Sequence, residues 1–144
     1  MDWTLVSPSS SADQRPIAYP IPYGPGETFI KSFSGSGFGV VFEETDEAGF
    51  LYATDEHSEN VLDALQLYRA SDSSRPRLGD EVYIVWSQAI KKAGFFCGDK
   101  FLAVIEFQNR RACCRSGYPP RTGEWCTSPH NWDNQMTIGL TAGR

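Results

Sequence analysis

Four cysteines, two histidines and a run of carboxylates are the residues of this chain with chemistry to offer. Cys97, Cys113, Cys114 and Cys126 contain no Cys-x-x-Cys pair. Cys126 and His130 are four apart, so a zinc site combining them with Cys113 or Cys114 can be drawn. Structural zinc, however, takes both ligands of a knuckle at short gaps, and adjacent cysteines on an extended chain point apart. The expectation is reduced, mostly buried thiols, no metal and no cofactor. His57 lies between Glu56 and Ser58, and Asp133 follows His130 by three. Either His beside a carboxylate is the raw material of general acid–base chemistry. Neither spacing distinguishes a catalytic pair from an ordinary polar loop.

The carboxylates are more informative as a group. No Lys or Arg occurs between Lys31 and Arg69, an interval that holds eight acids, among them Glu43, Glu44, Asp46, Glu47, Asp55 and Glu56. The spacing is not that of a calcium loop. Such a segment repels phosphate backbones, which argues against nucleic acid, and attracts basic protein surfaces. A solvated face that aids solubility is the competing reading. Aromatic residues make up 13% of the chain, with four Trp, enough to furnish anchors as well as core. Tyr52, Trp125 and Trp132 are the candidate anchors beside the acids. Gly35-Ser36-Gly37-Phe38-Gly39 is glycine-rich, but strand formers follow it where a phosphate loop opens a helix, so it reads as a hairpin link.

The elements that must position these residues follow from pattern. At 144 residues, with 40% hydrophobic and 22% charged residues, the chain suits one domain with a real core. Residues 1–26, with Ser9, Ser10 and Ser11 followed by Pro16, Pro20, Pro22 and Pro25, read as irregular or extended, and Ile17, Tyr19, Ile21 and Tyr23 alternate as an edge would. Residues 27–144 form the domain. Strands are expected at Thr28–Phe33, Phe38–Glu43 and Gly49–Thr54, then at Glu81–Ser87, with Ala93–Cys97 and Lys100–Phe107 as a hairpin about Gly98-Asp99. Val61, Leu62, Leu65 and Tyr68 share a face at helical spacing, with Ser58 as N-cap, which predicts a helix over Glu59–Arg69. Arg110–Trp132 reads as ordered loop and Met136–Leu140 as a short last strand. The expected fold is α+β, a mainly antiparallel sheet with one principal helix. No apolar run reaches the roughly 20 residues of a membrane span. Met1–Val6 lacks the features of a secretory leader, so a cytoplasmic location is expected.

Three blocks, Val40–Glu44, Gly49–Asp55 and Val61–Tyr68, resemble the core of the bacterial family domain of unknown function 2251, where an acidic FEDDG precedes GYFYA and ILDALHIYN. Ile84–Ser87, Ala93–Phe96, Ala103–Phe107 and His130-Asn131-Trp132 resemble its second half. The chain departs at Glu44–Glu47 and at Gln66, where the family has His. The resemblance implies a bacterial, stand-alone domain and carries no catalytic residues over. The functional expectation is a non-catalytic protein-binding domain, most concretely an immunity protein that neutralises a basic toxin domain through its acidic surface. The alternatives are a small hydrolase or ligand-binding enzyme using His57 or His130, and a regulatory or scaffold domain.

Overall fold

The computed structural model describes residues 16–26, 28–34, 37–58, 60–87, 91–120 and 124–141. Among these residues nine strands form two antiparallel sheets. The four-stranded sheet has the order β2 (Thr28–Phe33), β3 (Phe38–Glu44), β4 (Ala48–Asp55), β5 (Val61–Arg69). The five-stranded sheet has the order β1 (Ile17–Pro20), β6 (Val82–Ser87), β7 (Lys92–Cys97), β8 (Lys100–Glu106), β9 (Arg111–Cys114). Every strand pair is antiparallel. The alternation in Ile17–Tyr23 does mark an edge, since β1 pairs with β6 alone. The Gly98-Asp99 hairpin forms as expected, with Gly98 at φ 68°.

The expected helix is absent, and the α+β class with it: Val61–Arg69 is a strand, and the described residues contain no α-helix. Two bulges explain the helical appearance of its sequence. In the β4–β5 register Gly49 faces Tyr68 and Phe50 faces Gln66, so Leu67 has no partner; Ala53 faces Asp63 and Thr54 faces Val61, so Leu62 has none. Each extra residue reverses the in–out parity of the strand. Asp63, Leu65, Leu67 and Tyr68 therefore all become buried, and the apolar positions fall three and four apart without a helix. Asp55 caps the turn before it, accepting from the backbone N–H of His57 and of Ser58. Two smaller expectations also change. Arg110–Trp132 contains a strand, β9, and Met136–Leu140 is not one, because Asn134–Thr137 forms a 3-10 turn capped by Asp133. Glu59 and the Ser9–Ser11 run lie outside the described residues.

The principal core sits between the sheets, with Val40, Phe42, Leu51 and Leu65 of one facing Ile84, Trp86, Phe95 and Ile105 of the other. Phe42 and Phe95 meet across it at 4.6 Å between ring centroids. A second core lies outside the five-stranded sheet, where Met136 and Leu140 of the C-terminal segment cover Val85, Phe101, Val104 and Cys113. Lys92 fastens that segment: its buried ammonium donates to the Ile138 carbonyl at 2.9 Å and pairs with Glu106 at 3.3 Å. The result is three layers, namely the four-stranded sheet, the five-stranded sheet and the C-terminal segment. Among the described residues no helix is long and apolar enough to cross a membrane.

Candidate functional site: the outer face of the four-stranded sheet

The register sets three rows of side chains across the outer face of the four-stranded sheet. Phe29, Glu43, Phe50 and Gln66 form one row, Lys31, Val41, Tyr52 and Ala64 the next, and Phe33, Gly39, Thr54 and Val61 the third. Strand periodicity puts every second residue on one face, so each strand contributes three neighbours to the same surface. This face carries aromatic and aliphatic groups in the open: Phe29 is 57% and Val61 59% exposed. Phe50 and Tyr52 stack at 6.0 Å. The Tyr52 hydroxyl donates to Glu43 at 2.9 Å. Burial and that carboxylate push the Tyr52 hydroxyl up to about 12, so it remains a donor.

Two depressions mark the face. An apolar groove of about 230 Å³ runs between Phe29, Phe33, Tyr52 and Val61, with Lys31 and Thr54 in its wall. A wider, more polar groove of about 670 Å³ includes Phe50, Gln66 and Tyr118 and continues to Glu47, Arg69 and Asp72. Gly39 shapes the first groove, since the Phe33 ring occupies the space where a Cβ would stand, 2.5 Å from the nearest ring atom. The Thr54 hydroxyl, buried beside it, has no hydrogen-bond partner among the described residues.

The sequence-derived candidates divide among different surroundings. Glu43 and Tyr52 lie together on this face, and Asp46 and Glu47 are exposed at the β3–β4 turn at its end. Asp55 and Glu56 sit at the other end of β4, roughly 25 Å away at about 3.3 Å per residue. Asp55 is occupied in its turn, whose amide bonds hold it below the usual carboxylate range, and Glu56 accepts from Gly37 N–H at 3.1 Å. Glu44 is not on the surface at all. Its buried carboxylate accepts from Tyr68 at 2.6 Å, Gly26 N–H at 2.6 Å, Tyr23 at 2.7 Å and Arg75 at 2.9 Å. Burial alone would raise its pKa, but those donors hold it below the ordinary value. Trp125 packs edge-on against Phe107 in the principal core, and Trp132 sits in the second core under the Arg115 guanidinium, 3.9 Å from its ring centre. Phe29, Phe33, Thr54 and Val61 were not among the candidates, although strand parity alone aligns Phe29 with Phe33.

The titratable groups suited to catalysis or metal are elsewhere. His57 is exposed in the β4–β5 turn. His130 is fully buried, and its Nε2 meets Asp63 Oδ2 at 2.8 Å rather than Asp133. Its Nδ1 faces the Pro119 carbonyl. Burial lowers the pKa of this ring, yet the bond and charge of Asp63 with the Pro119 carbonyl outweigh that and raise it. Cys126, also buried, completes a group whose ligand atoms lie within 4.8 Å of one another. Asp133 pairs instead with Arg111 at 3.2 Å. Cys113 and Cys114 stay outside the group, and burial pushes the Cys113 thiol up to about 11.

No curated protein and no solved structure matches this chain. The model of the family DUF2251, described as an uncharacterized protein conserved in bacteria, matches residues 23–140. That span takes in β2 to β9, the second core, most of the principal core and the face described above, and the chain belongs to this bacterial family.

Proposed function

We propose that this chain is a non-catalytic protein-binding domain that presents the outer face of its four-stranded sheet, with the acidic β3–β4 turn at one end, to a basic protein surface. The observation that carries the reading is the asymmetry of the sandwich. The C-terminal segment covers the outer face of the five-stranded sheet, whereas the outer face of the other holds Phe29 and Val61 more than half exposed. Contiguous aromatic surface with a few polar groups is what partner-binding faces are made of, and Glu43, Asp46 and Glu47 add the charge that steers a basic partner. In its most concrete form the domain is an immunity protein, and the partner is a toxin domain encoded beside it.

The enzyme reading has less behind it. His130 and Asp63 are paired, but both are sealed from solvent, and the exposed His57 is seen to bond only through its backbone N–H among the described residues. Co-expression with the product of the adjacent reading frame, followed by size-exclusion chromatography, tests the binding reading. Co-elution at one-to-one stoichiometry is expected. Separate elution of two folded proteins, together with turnover of a small substrate lost in His57→Ala, would replace it with the enzyme.

A further inference from the structure

We propose that Asp63, Cys126 and His130 form a buried site for one zinc ion, which clamps the segment after β9 onto β5. The three donors come from two parts of the chain, 67 positions apart for the His and the Asp. The sheet brings them together because Asp63 points inward from β5, Ser116 and Tyr118 bond to the Gln66 backbone at that strand's edge, and His130 reaches Asp63 beside them. Gln66 N–H donates there to the Tyr118 carbonyl at 2.8 Å, and Cys114 N–H to the His130 carbonyl at 3.1 Å. The site therefore joins the last strand of one sheet to the segment that follows the last strand of the other.

Three features favour a cation over a chance meeting of core residues. The donor set is one imidazole nitrogen, one sulfur and one carboxylate oxygen, which suits a borderline ion such as zinc rather than calcium or magnesium. A dication with one carboxylate and one thiolate sums to zero charge, the condition for burying ionised groups at small cost. The Pro119 carbonyl at Nδ1 leaves Nε2 directed at Asp63, the arrangement in which a ligating His is held through its other nitrogen. The Ser128 carbonyl, 3.1 Å from Cys126 Sγ, is a further oxygen beside the thiol. As the ion enters, Nε2 and the thiol each give a proton to solvent, and bonds from the metal to nitrogen and sulfur take the place of the N–H and S–H bonds. Without metal the His–Asp pair satisfies itself and the thiol keeps its proton.

Cobalt(II), which takes zinc's place and is coloured, is the probe. Full-length protein without a histidine tag is stripped with chelator and titrated with cobalt. One equivalent should bind with a near-ultraviolet thiolate-to-cobalt band and strong visible bands of a four-coordinate ion, and zinc should displace it. Cys126→Ser should lose the band, and Cys113→Ser, buried outside the group, should keep it. Should Cys126→Ser not fold, wild-type protein decides alone: zinc should raise its thermal midpoint by several degrees, reversibly with chelator. Folded wild-type protein that gives no thiolate band, or a band lost in Cys113→Ser but kept in Cys126→Ser, overturns the site. Either result leaves the partner-binding reading untouched.

Discussion

The hydroxyl of Tyr68 donates to the carboxylate of Glu44 at 2.6 Å, and this bond ties β5 to the end of β3 inside the molecule. Tyr23 and Gly26 from the chain before β2, and Arg75 from the loop after β5, converge on the same carboxylate. A charge buried with four donors loses more on removal than it adds on formation, because the donors are left unpaired. Glu44→Gln should lower unfolding stability by about 2–3 kcal/mol, read from urea melts at neutral pH. A change within error would mean that the cluster does not hold the fold.

The same carboxylate sets a pH dependence. Its folded pKa lies below the ordinary value of 4.5. Its contribution is therefore present above that value and is lost as pH falls through the folded one. Wild-type stability should drop with acid below about pH 4.5, and Glu44→Gln should flatten part of that drop. Parallel curves for the two proteins would assign the acid sensitivity elsewhere.

Gly49 lies against the ring of Tyr68, where an added Cβ would stand 2.4 Å from the nearest ring atom. Gly49→Ala should cost about 1–3 kcal/mol through overpacking. Gly24→Ala, with no atom within 4 Å of the added carbon, is the matched control and should leave the thermal midpoint nearly unchanged. Equal midpoints for both variants would contradict the packing of Tyr68 on Gly49.

The thiols should report burial directly. Cys97 is part-exposed, while Cys113, Cys114 and Cys126 are buried. Burial and the charge of Asp80 push the Cys97 thiol up to about 11, so even it should label slowly at neutral pH. One slow native modification at Cys97, followed by three more on unfolding, is expected by mass spectrometry. Rapid native labelling of Cys113 would contradict the covering of the second core, and that of Cys114 the packing of the principal one.

Most of the strand content was legible in the sequence, because β2, β3, β4, β6, β7 and β8 alternate or are bounded by glycine links. The missing helix was not legible from periodicity, since bulges at Leu62 and Leu67 imitate it; they become visible only once Gly49 and Ala53 are known to be the partners' neighbours. The acidic run predicted a surface, and the chain folds two of its members, Glu44 and Asp63, inward. Nothing local marks Glu44 apart from Glu43, because its donors lie as far off as Arg75. Asp63 and His130 show the same limit, as each looks ordinary beside its own neighbours. The outer face was recoverable in part: strand parity alone places Phe29, Lys31 and Phe33 on one face of β2, and Phe50, Tyr52 and Thr54 on one face of β4, but not that the two faces are the same.

The acidic contribution to capture needs a variant that spares Glu44, whose reversal would bury a cation against Arg75. Glu43→Lys, Asp46→Lys and Glu47→Lys together should slow association with a basic partner at low salt, and the difference should shrink as salt shortens the Debye length to about 8 Å at physiological ionic strength and further beyond it. Stopped-flow rates identical to wild type at low salt would make these carboxylates a solvated face.

The central claim is that the partner sits on the outer face of the four-stranded sheet. Its most direct test is the dissociation constant of the complex with the adjacent gene's product, measured for wild type and for Phe29→Asp with Val61→Asp. Both side chains are exposed, so the double variant should unfold at nearly the wild-type midpoint. Loss of a central apolar contact costs about 2 kcal/mol or more at such a face, so affinity should fall by roughly 30-fold or more. A folded double variant that binds with wild-type affinity would contradict the account.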